Sequence, residues 1–520
     1  MRADVLLVAT VGYLLLPNAI FAAGWLRPVW GFAVVLALLA CLTGVARRAR
    51  TEVAPLPVFA RIVVAGLAAF WVAVSGIGEL NLQVSDYIKH NLVFHDLAVG
   101  PWPVVYGAAE RSGSLLCYYL AYYLPPALAA KLFGLHAAAL ASLLWGATGV
   151  VLAFAWVARL GRPQGAAVLV LFTLIDNLCW LPGVAYLAQR VLTGAGAPRG
   201  GWWQTDGFTS RFWELAGTQN RLLFSAEPLS LVWTPQHALA AWLATACVLS
   251  VLWEGRRPAV AGLVTAAVAL WSPFVVVGLL PLAAAAVWRR GRPDVSWPDL
   301  VGGAALAVPV GLYFLAHSPQ RYVGMLPAAL PDAGAWAKYV LFLVLAVGVI
   351  FGGVWLVQRQ YALLDPPRWL AFRLTAATLL AVTLITMGKY NDWAMRVSMP
   401  GLFVLHLTAA TVAAALWRSR AALRHRLAFS ALVLLAAERT LKGYFLAPTG
   451  ALADTPIQTT IATARSVAGS IVELRDGDDA SVASQYLGST TSLFGRYLMK
   501  EPAARGAGGA AATGEGGRER

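Results

Sequence analysis

The sequence predicts an all-α, polytopic integral membrane protein of about 11–14 transmembrane helices. Three observations carry this. Of 520 residues, 59% are hydrophobic and only 12% charged, about half the charged share of a soluble chain. The hydrophobic residues gather into runs of roughly 17–25, long enough to cross a bilayer core as helix, and the alternating segments of a closed barrel are absent. The basic residues sit in short clusters between those runs.

Apolar runs mark spans over residues 5–23, 29–45, 59–77, 136–158, 166–188, 231–253, 301–315, 337–357, 372–387, 397–416 and 427–441. The first could pass for a signal peptide, but it has little basic flank beyond Arg2 and another span follows at once, so it reads as an uncleaved helix. Residues 115–133 are apolar but interrupted by Pro125-Pro126, which predicts a hairpin with the following run. Residues 259–287 lie between two basic clusters and are broken at Ser272-Pro273. The proline removes a helix hydrogen bond, so two short helices returning to one side are expected.

The net charge is +15, a value that would suggest nucleic acid in a soluble protein. Here the positive residues form clusters at Arg47, Arg48 and Arg50; Arg256 and Arg257; Arg289, Arg290 and Arg292; and Arg418, Arg420, Arg424 and Arg426. This is the positive-inside pattern, so the charge reports topology and no nucleic-acid partner is expected. It predicts a multi-pass protein of the inner (plasma) membrane, with a cytoplasmic N-terminus and an external or periplasmic C-terminus. Cys41, Cys117, Cys179 and Cys247 all lie in apolar segments without metal-ligand spacing and read as small buried hydrophobes. No metal or other cofactor is expected.

The resulting organisation is a transmembrane domain over residues 1–447, with external loops at 79–114, 189–230, 317–335 and 389–396. A small external segment follows at 448–502. The Gly- and Ala-rich tail 503–520 cannot bury a core and is expected to be disordered. The loops on the basic side are too short for a nucleotide-binding domain, and no Gly-rich phosphate motif is present. Chemistry driven by soluble nucleotide sugars or ATP is thereby disfavoured.

Polar complexity gathers on the other side. In the first loop, Ser85 is placed to cap a helix beginning near Asp86. At 100° per residue, Asp86, Lys89, His90 and Asp96 share an arc of roughly 120°, with Ile88 and Leu92 opposite. That predicts an amphipathic helix on the membrane surface, its carboxylate-rich face in water and Lys89 near Asp86 or Asp96. The second loop carries Trp202, Trp203, Asp206, Arg211, Trp213, Glu214, Asn220 and Arg221. The tryptophans there read as interfacial anchors, with carbohydrate stacking as the alternative. Gln236 and His237 follow a helix-starting Pro235 at the outer boundary. Arg321 is a further outer-side cation, and the turn 388–396 is dense in polar groups, notably Lys389, Asn391, Asp392 and Arg396. Glu438, Arg439 and Lys442 close the last span. Asp176 lies near the middle of its span. Polar groups at membrane depth are costly and tend to be functional.

These features resemble the GT-C superfamily, the multi-spanning glycosyltransferases that use polyprenyl-phosphate-linked sugars, in a bacterial-type form. The resemblance rests on three stretches within the first 190 or so residues. Two early spans lead to an acidic residue, Asp86, in a juxtamembrane helix of the first external loop. A Tyr-rich, Pro-containing stretch follows, Tyr118-Tyr119-Leu120-Ala121-Tyr122-Tyr123-Leu124-Pro125-Pro126. Then come Lys131-Leu132-Phe133-Gly134 and a span ending in a basic turn. The family often shows an adjacent acidic pair in this loop. Here Tyr87 follows Asp86 and the next acid is Asp96, roughly 15 Å further along a continuous helix, so both remain candidates for the base.

The resemblance implies transfer of a sugar from a polyprenyl-phosphate carrier to a glycan, lipid or protein acceptor on the non-cytoplasmic side, with inversion and often without metal. Asp86 would serve as base. Lys89, His90, Gln236, His237, Arg321, Lys389, Asn391, Asp392 and Arg396 would line the substrate site. A glycan polymerase or ligase shares the substrate class, and a transporter or flippase of a lipid-linked saccharide would need charges along a path through the membrane.

Overall fold

At membrane depth the backbone has no water to bind, so apolar runs must satisfy their own hydrogen bonds as helix. The chain does this almost throughout. The computed structural model describes residues 2–107, 114–195, 209, 212–214, 222–224, 227–289, 297–317, 323–388, 391–446, 459–474 and 480–502. The tail 503–520 lies outside the described residues.

In chain order the helices are α1 (Val5–Trp25), α2 (Pro28–Arg48), α3 (Val58–Val74), α4 (Tyr87–Val99), α5 (Leu124–Phe133), α6 (Ala137–Leu160), α7 (Gly165–Phe172) and α8 (Leu181–Leu192). Then come α9 (Glu227–Trp233), α10 (Pro235–Glu254), α11 (Pro258–Ala267), α12 (Pro273–Arg289), α13 (Trp297–Leu315), α14 (Ala333–Leu343), α15 (Val349–Tyr361) and α16 (Pro366–Val382). The last are α17 (Asp392–Val397), α18 (Met399–Arg418), α19 (Leu423–Leu435), α20 (Glu438–Leu446) and α21 (Ala464–Ala468). Among the described residues six helical segments are long and apolar enough to cross a membrane: α1, α2, α6, α10, α18 and the continuous Ala333–Tyr361. Shorter apolar helices, including α3, α12 and most of α13, stand among them.

Burial sorts these helices. α10 and α18 are enclosed on nearly every side and form the centre of the bundle, as helices apolar all round must. α2 leaves Phe32, Leu36 and Leu39 exposed, as a helix at the lipid-facing periphery does. The chain breaks between α11 and α12 at Ser272-Pro273, as the proline dictates, and the Ser272 hydroxyl takes the backbone N–H of Val275 at 3.3 Å.

Three runs that read as single spans are interrupted. Residues 166–188 divide into α7 and α8, 231–253 into α9 and α10 at Thr234-Pro235, and 427–441 into α19 and α20. The breaks satisfy one another. The amide of Asp176 donates to the Ala436 carbonyl at 2.8 Å, and that of Leu178 to Leu345 at 2.9 Å. The latter carbonyl sits in a π-helical turn, Val344–Gly348, which joins α14 to α15. Backbone groups that a straight helix would pair internally are thus paired between helices.

Among the described residues strands are few and short, in three antiparallel sheets. β1 (Arg2–Ala3) pairs with β2 (Arg50–Thr51), tying the N-terminus to the loop after α2. β3 (Val105–Tyr106), β4 (Ser114–Leu116) and β7 (Leu487–Ser489) form a three-stranded sheet in which the chain's last segment joins the first loop. β5 (Val323–Met325) pairs with β6 (Ile385–Met387), just before the turn that leads to α17.

Candidate functional site

The first loop leaves α3 through a tight reversal. Gly76 and Gly78 adopt positive φ of 80° and 69°, a region that suits glycine. At Gly78 an added Cβ would lie 2.5 Å from the Leu143 side chain. The reversal delivers Asp86 to the start of α4. Asp86 itself is the N-cap residue and no side chain caps the helix, so Ser85 does not fill that role.

α4 does not lie on a surface with a wet carboxylate face. Its first turn is partly open, Asp86 and Lys89 keeping 34% and 29% side-chain exposure, and its last residue, Val99, is exposed. From His90 to Ala98 all but His95 are buried. The reason is a cover that local sequence does not announce. α21 and the turn before it pack on α4, Asn91 donates to the Thr459 carbonyl at 3.0 Å, and Glu79 accepts from the Ile461 amide at 2.6 Å.

The two acids of this helix therefore have different surroundings. Asp86 pairs with Lys89 at 3.0 Å through Oδ1, and its Oδ2 has no hydrogen bond among the described residues. Asp96 is buried, accepts from the Tyr106 hydroxyl at 2.8 Å, and lies 3.4 Å from His95 and 3.6 Å from Arg465. It ties α4 to β3 and to the C-terminal segment.

Around Asp86 the structure assembles most of the predicted polar residues. His90 Nδ1 is 2.5 Å from the Tyr123 hydroxyl and its Nε2 is 3.2 Å from the Trp233 carbonyl at the end of α9. Burial lowers its pKa to about 4 despite the nearby Asp86, with Lys89 and Arg396 pushing the same way as burial, so the ring is neutral near pH 7. Burial also works against the Lys89 charge, but Asp86, Tyr118 and Asp392 outweigh it and the amine stays protonated.

The second half of the site comes from the turn before α18. Gly388 and Asn391 both take left-handed backbone, with φ of 82° and 60°. A Cβ at Gly388 would sit 2.5 Å from the Asp392 carboxylate, so only glycine lets that carboxylate close on the turn. Asp392 then binds Arg396 one helical turn later, at 2.9 Å. Arg396 lies over the rings of Tyr119 and Phe274, 5.8 and 5.6 Å from their centroids. Its Nε has no hydrogen-bond partner among the described residues. Burial opposes its charge, but Asp392 and the surrounding tyrosines hold it firmly protonated.

The halves meet at a tyrosine cluster. The rings of Tyr118 and Tyr486 are 4.4 Å apart, and Tyr486 lies in the combined field of Asp86, Arg396 and Asp392. His237 closes the inner side. Its ring is 5.0 Å from that of Tyr119, its Nδ1 is 2.7 Å from the Ser272 hydroxyl, and its buried Nε2 has no hydrogen-bond partner among the described residues. Gln236 is also buried, and its side-chain carbonyl oxygen has no hydrogen bond among the described residues. The structure thus gathers Asp86, Lys89, His90, His237, Asp392 and Arg396, and leaves Asp96 on a different flank. Asn391 is buried and shapes the turn, its side chain taking the Met387 amide at 3.4 Å.

Arg321 and Lys389 lie outside the described residues, as do Trp202, Trp203, Asp206, Arg211, Asn220 and Arg221. Of the second loop, Trp213 is buried, its indole donating to the Cys179 carbonyl at 2.8 Å, and the Glu214 carbonyl accepts from Lys338 at 3.1 Å. No group of three or more His, Cys, Asp or Glu residues with metal-binding geometry occurs among the described residues.

Sequence reasoning missed Tyr486, whose segment is distant in the chain. It also missed a buried polar group deeper in the bundle. Glu227 accepts a short hydrogen bond from the Trp242 indole and faces His406 at 3.6 Å. Beside the helix breaks, Asp176 accepts from Asn177 at 2.7 Å and Glu438 pairs with Lys442 at 2.9 Å. The signal was available as intramembrane ionisable residues, but the partners of Glu227, Trp242 and His406, stand on other helices. Comparison with protein-family models, with curated proteins and with solved structures finds no match for this chain.

Proposed function

We propose that the chain is a membrane glycosyltransferase of the GT-C type. It moves a sugar from a polyprenyl-phosphate carrier to a glycan, lipid or protein acceptor on the non-cytoplasmic side of the plasma membrane. The observation that supports this best is the grouping of a partly exposed carboxylate, Asp86, and a mostly enclosed, aromatic-flanked guanidinium, Arg396, around the Tyr118–Tyr486 pair.

In this reading Asp86 Oδ2 accepts the proton of the acceptor hydroxyl as its oxygen bonds to the anomeric carbon. The bond from that carbon to the phosphate oxygen breaks, and the lipid phosphate leaves with the electron pair. Arg396 meets the developing charge with donors not engaged by Asp392. Lys89 fixes the orientation of Asp86 through the other oxygen. The tyrosines offer ring faces for a sugar, and neutral His90 keeps the first turn of α4 in place.

The basic clusters then face the cytoplasm, with the N-terminus, and the segment after Phe445 lies outside. A second reading, transport of a lipid-linked saccharide, draws support from the buried groups Glu227, His406, Asp176, Glu438 and Lys442 within the bundle. One experiment separates the two. Purified protein in lipid nanodiscs is given labelled polyprenyl-phosphate sugars and mixed acceptors, and release of polyprenyl phosphate is followed. Release that requires Arg396 supports transfer. Absence of release from every donor, together with movement of labelled lipid across the bilayer of reconstituted vesicles, would replace transfer with transport.

A further inference from the structure

At the end of the bundle opposite the tyrosine cluster, a cavity of about 600 Å³ opens where α1, α2, α10, α11 and α13 meet. That volume suits a small ligand or a lipid headgroup. Its walls combine three kinds of surface.

The floor is ionic and already balanced: Glu254, Arg256, Arg257 and Asp299 line it, and Asp4 and Arg159, outside the lining, complete the pairs. Arg159 binds Asp4 at 2.7 Å and Glu254 at 2.6 Å, and Arg256 reaches the same two acids at 2.5 and 3.3 Å. Arg257 binds Asp299 at 3.3 Å. These pairs are largely buried, Arg256 keeping only 9% side-chain exposure. Two arginines against two carboxylates, and one against one, leave the floor near neutral.

The rim is not balanced in that way. Arg48 ends α2, and Arg50 and Glu52 follow it. All three line the cavity and are exposed, and no ion pair engages their side chains among the described residues. The rim therefore offers two cations and one anion that form no ion pair among the described residues. The third surface is apolar. Val45, Val260 and Leu263 line the same cavity, and the outer side of α2 continues from it as exposed Leu39, Leu36 and Phe32. A ligand suited to these surfaces carries a phosphate, a cation a few bonds away, and hydrocarbon.

We propose that this cavity binds the headgroup of a phospholipid bearing a primary ammonium, such as phosphatidylethanolamine. Its phosphate sits between Arg48 and Arg50, its ammonium faces Glu52, and its acyl chains lie along α2. A purely anionic headgroup would leave Glu52 facing a like charge. A choline headgroup has no N–H to donate to that carboxylate. The site sits at the membrane boundary by virtue of the helix ends that form it and is independent of the sugar-transfer reading. Basic pockets between helix ends are a recurring mode of headgroup recognition.

The test uses the full chain in nanodiscs of phosphatidylethanolamine, phosphatidylglycerol and phosphatidylcholine in equal amounts, with retained lipid read by native mass spectrometry. Phosphatidylethanolamine should be enriched about tenfold over either competitor, the scale of one charge-assisted hydrogen bond. Arg48→Gln with Arg50→Gln should abolish that enrichment, and Glu52→Gln should bring phosphatidylglycerol level with phosphatidylethanolamine. Soluble phosphoethanolamine should not displace the lipid. Equal or greater retention of phosphatidylglycerol or phosphatidylcholine by the wild-type chain would overturn the proposal whether or not the variants fold. So would full enrichment in the arginine double variant, or displacement by the soluble headgroup.

Discussion

Exchanging Asp86 and Asp96 separately for asparagine tests the assignment of the base, because the two acids occupy such different surroundings. Asp86 and Lys89 are each about one-third exposed, and an ion pair that open contributes at most about 1 kcal/mol. Asp86→Asn should therefore melt close to wild type in detergent. Its transfer rate from a polyprenyl-phosphate sugar should fall by about 10²–10⁴-fold, the contribution of a positioned general base. Asp96 is 4% exposed and accepts from Tyr106 while facing Arg465. Weakening those contacts should cost about 1–3 kcal/mol of stability, with a much smaller loss of rate in the protein that remains folded. Paired measurements of melting and of polyprenyl phosphate released per folded molecule give both axes. Wild-type transfer by Asp86→Asn would refute the reasoning, and a selective loss in Asp96→Asn would move the base to Asp96.

Three other outcomes follow from the same geometry. Arg396→Gln should lower transfer by about 10²-fold or more, as loss of a charge-stabilising donor does, while Arg396→Lys should recover part of it; equal rates in all three would remove Arg396 from the mechanism. Arg159→Gln leaves Asp4 and Glu254 with Arg256 alone, so it should cost about 3 kcal/mol, the low end for breaking a buried pair, read as a lowered melting temperature; an unchanged melt would contradict the pairing. For His90, burial lowers the folded pKa from 6.5 to about 4, so the unfolded chain binds the extra proton first as pH falls. The stability contributed by neutral His90 is full above about pH 6.5 and lost as pH drops toward 4. His90→Gln should flatten that part of the melting profile, and an identical acid dependence in the variant would count against it.

The bundle was legible because burial in lipid writes long apolar runs into the sequence, and the Ser272-Pro273 break was legible because proline removes a donor wherever it stands. The breaks at Asp176-Asn177 and Ala436-Ala437 carry no such mark. They exist because Asp176 and Leu178 find carbonyls on other helices, and such partners lie far away in sequence. The site divides along the same line. Asp86 with Lys89, and Asp392 with Arg396, are neighbours on one helix turn and could be expected from spacing. The wet face expected for α4 failed because Thr459, Ile461 and Arg465, hundreds of residues away, cover it.

That cover sets an order on the life of the molecule. Thr459 meets Asn91 from 368 positions later in the chain, and Tyr486 reaches the tyrosine cluster from later still. A ribosome releases the first loop long before it has made either residue. Until then Asp86 has its lysine and no finished chamber, and β3 and β4 lack their third strand. A nascent or prematurely terminated chain can fill the membrane with helices yet leave the first loop uncovered. The site thus depends on late-made chain, and a protein that stops before Thr459 inserts its helices without the cover on α4, without Tyr486 and without the third strand.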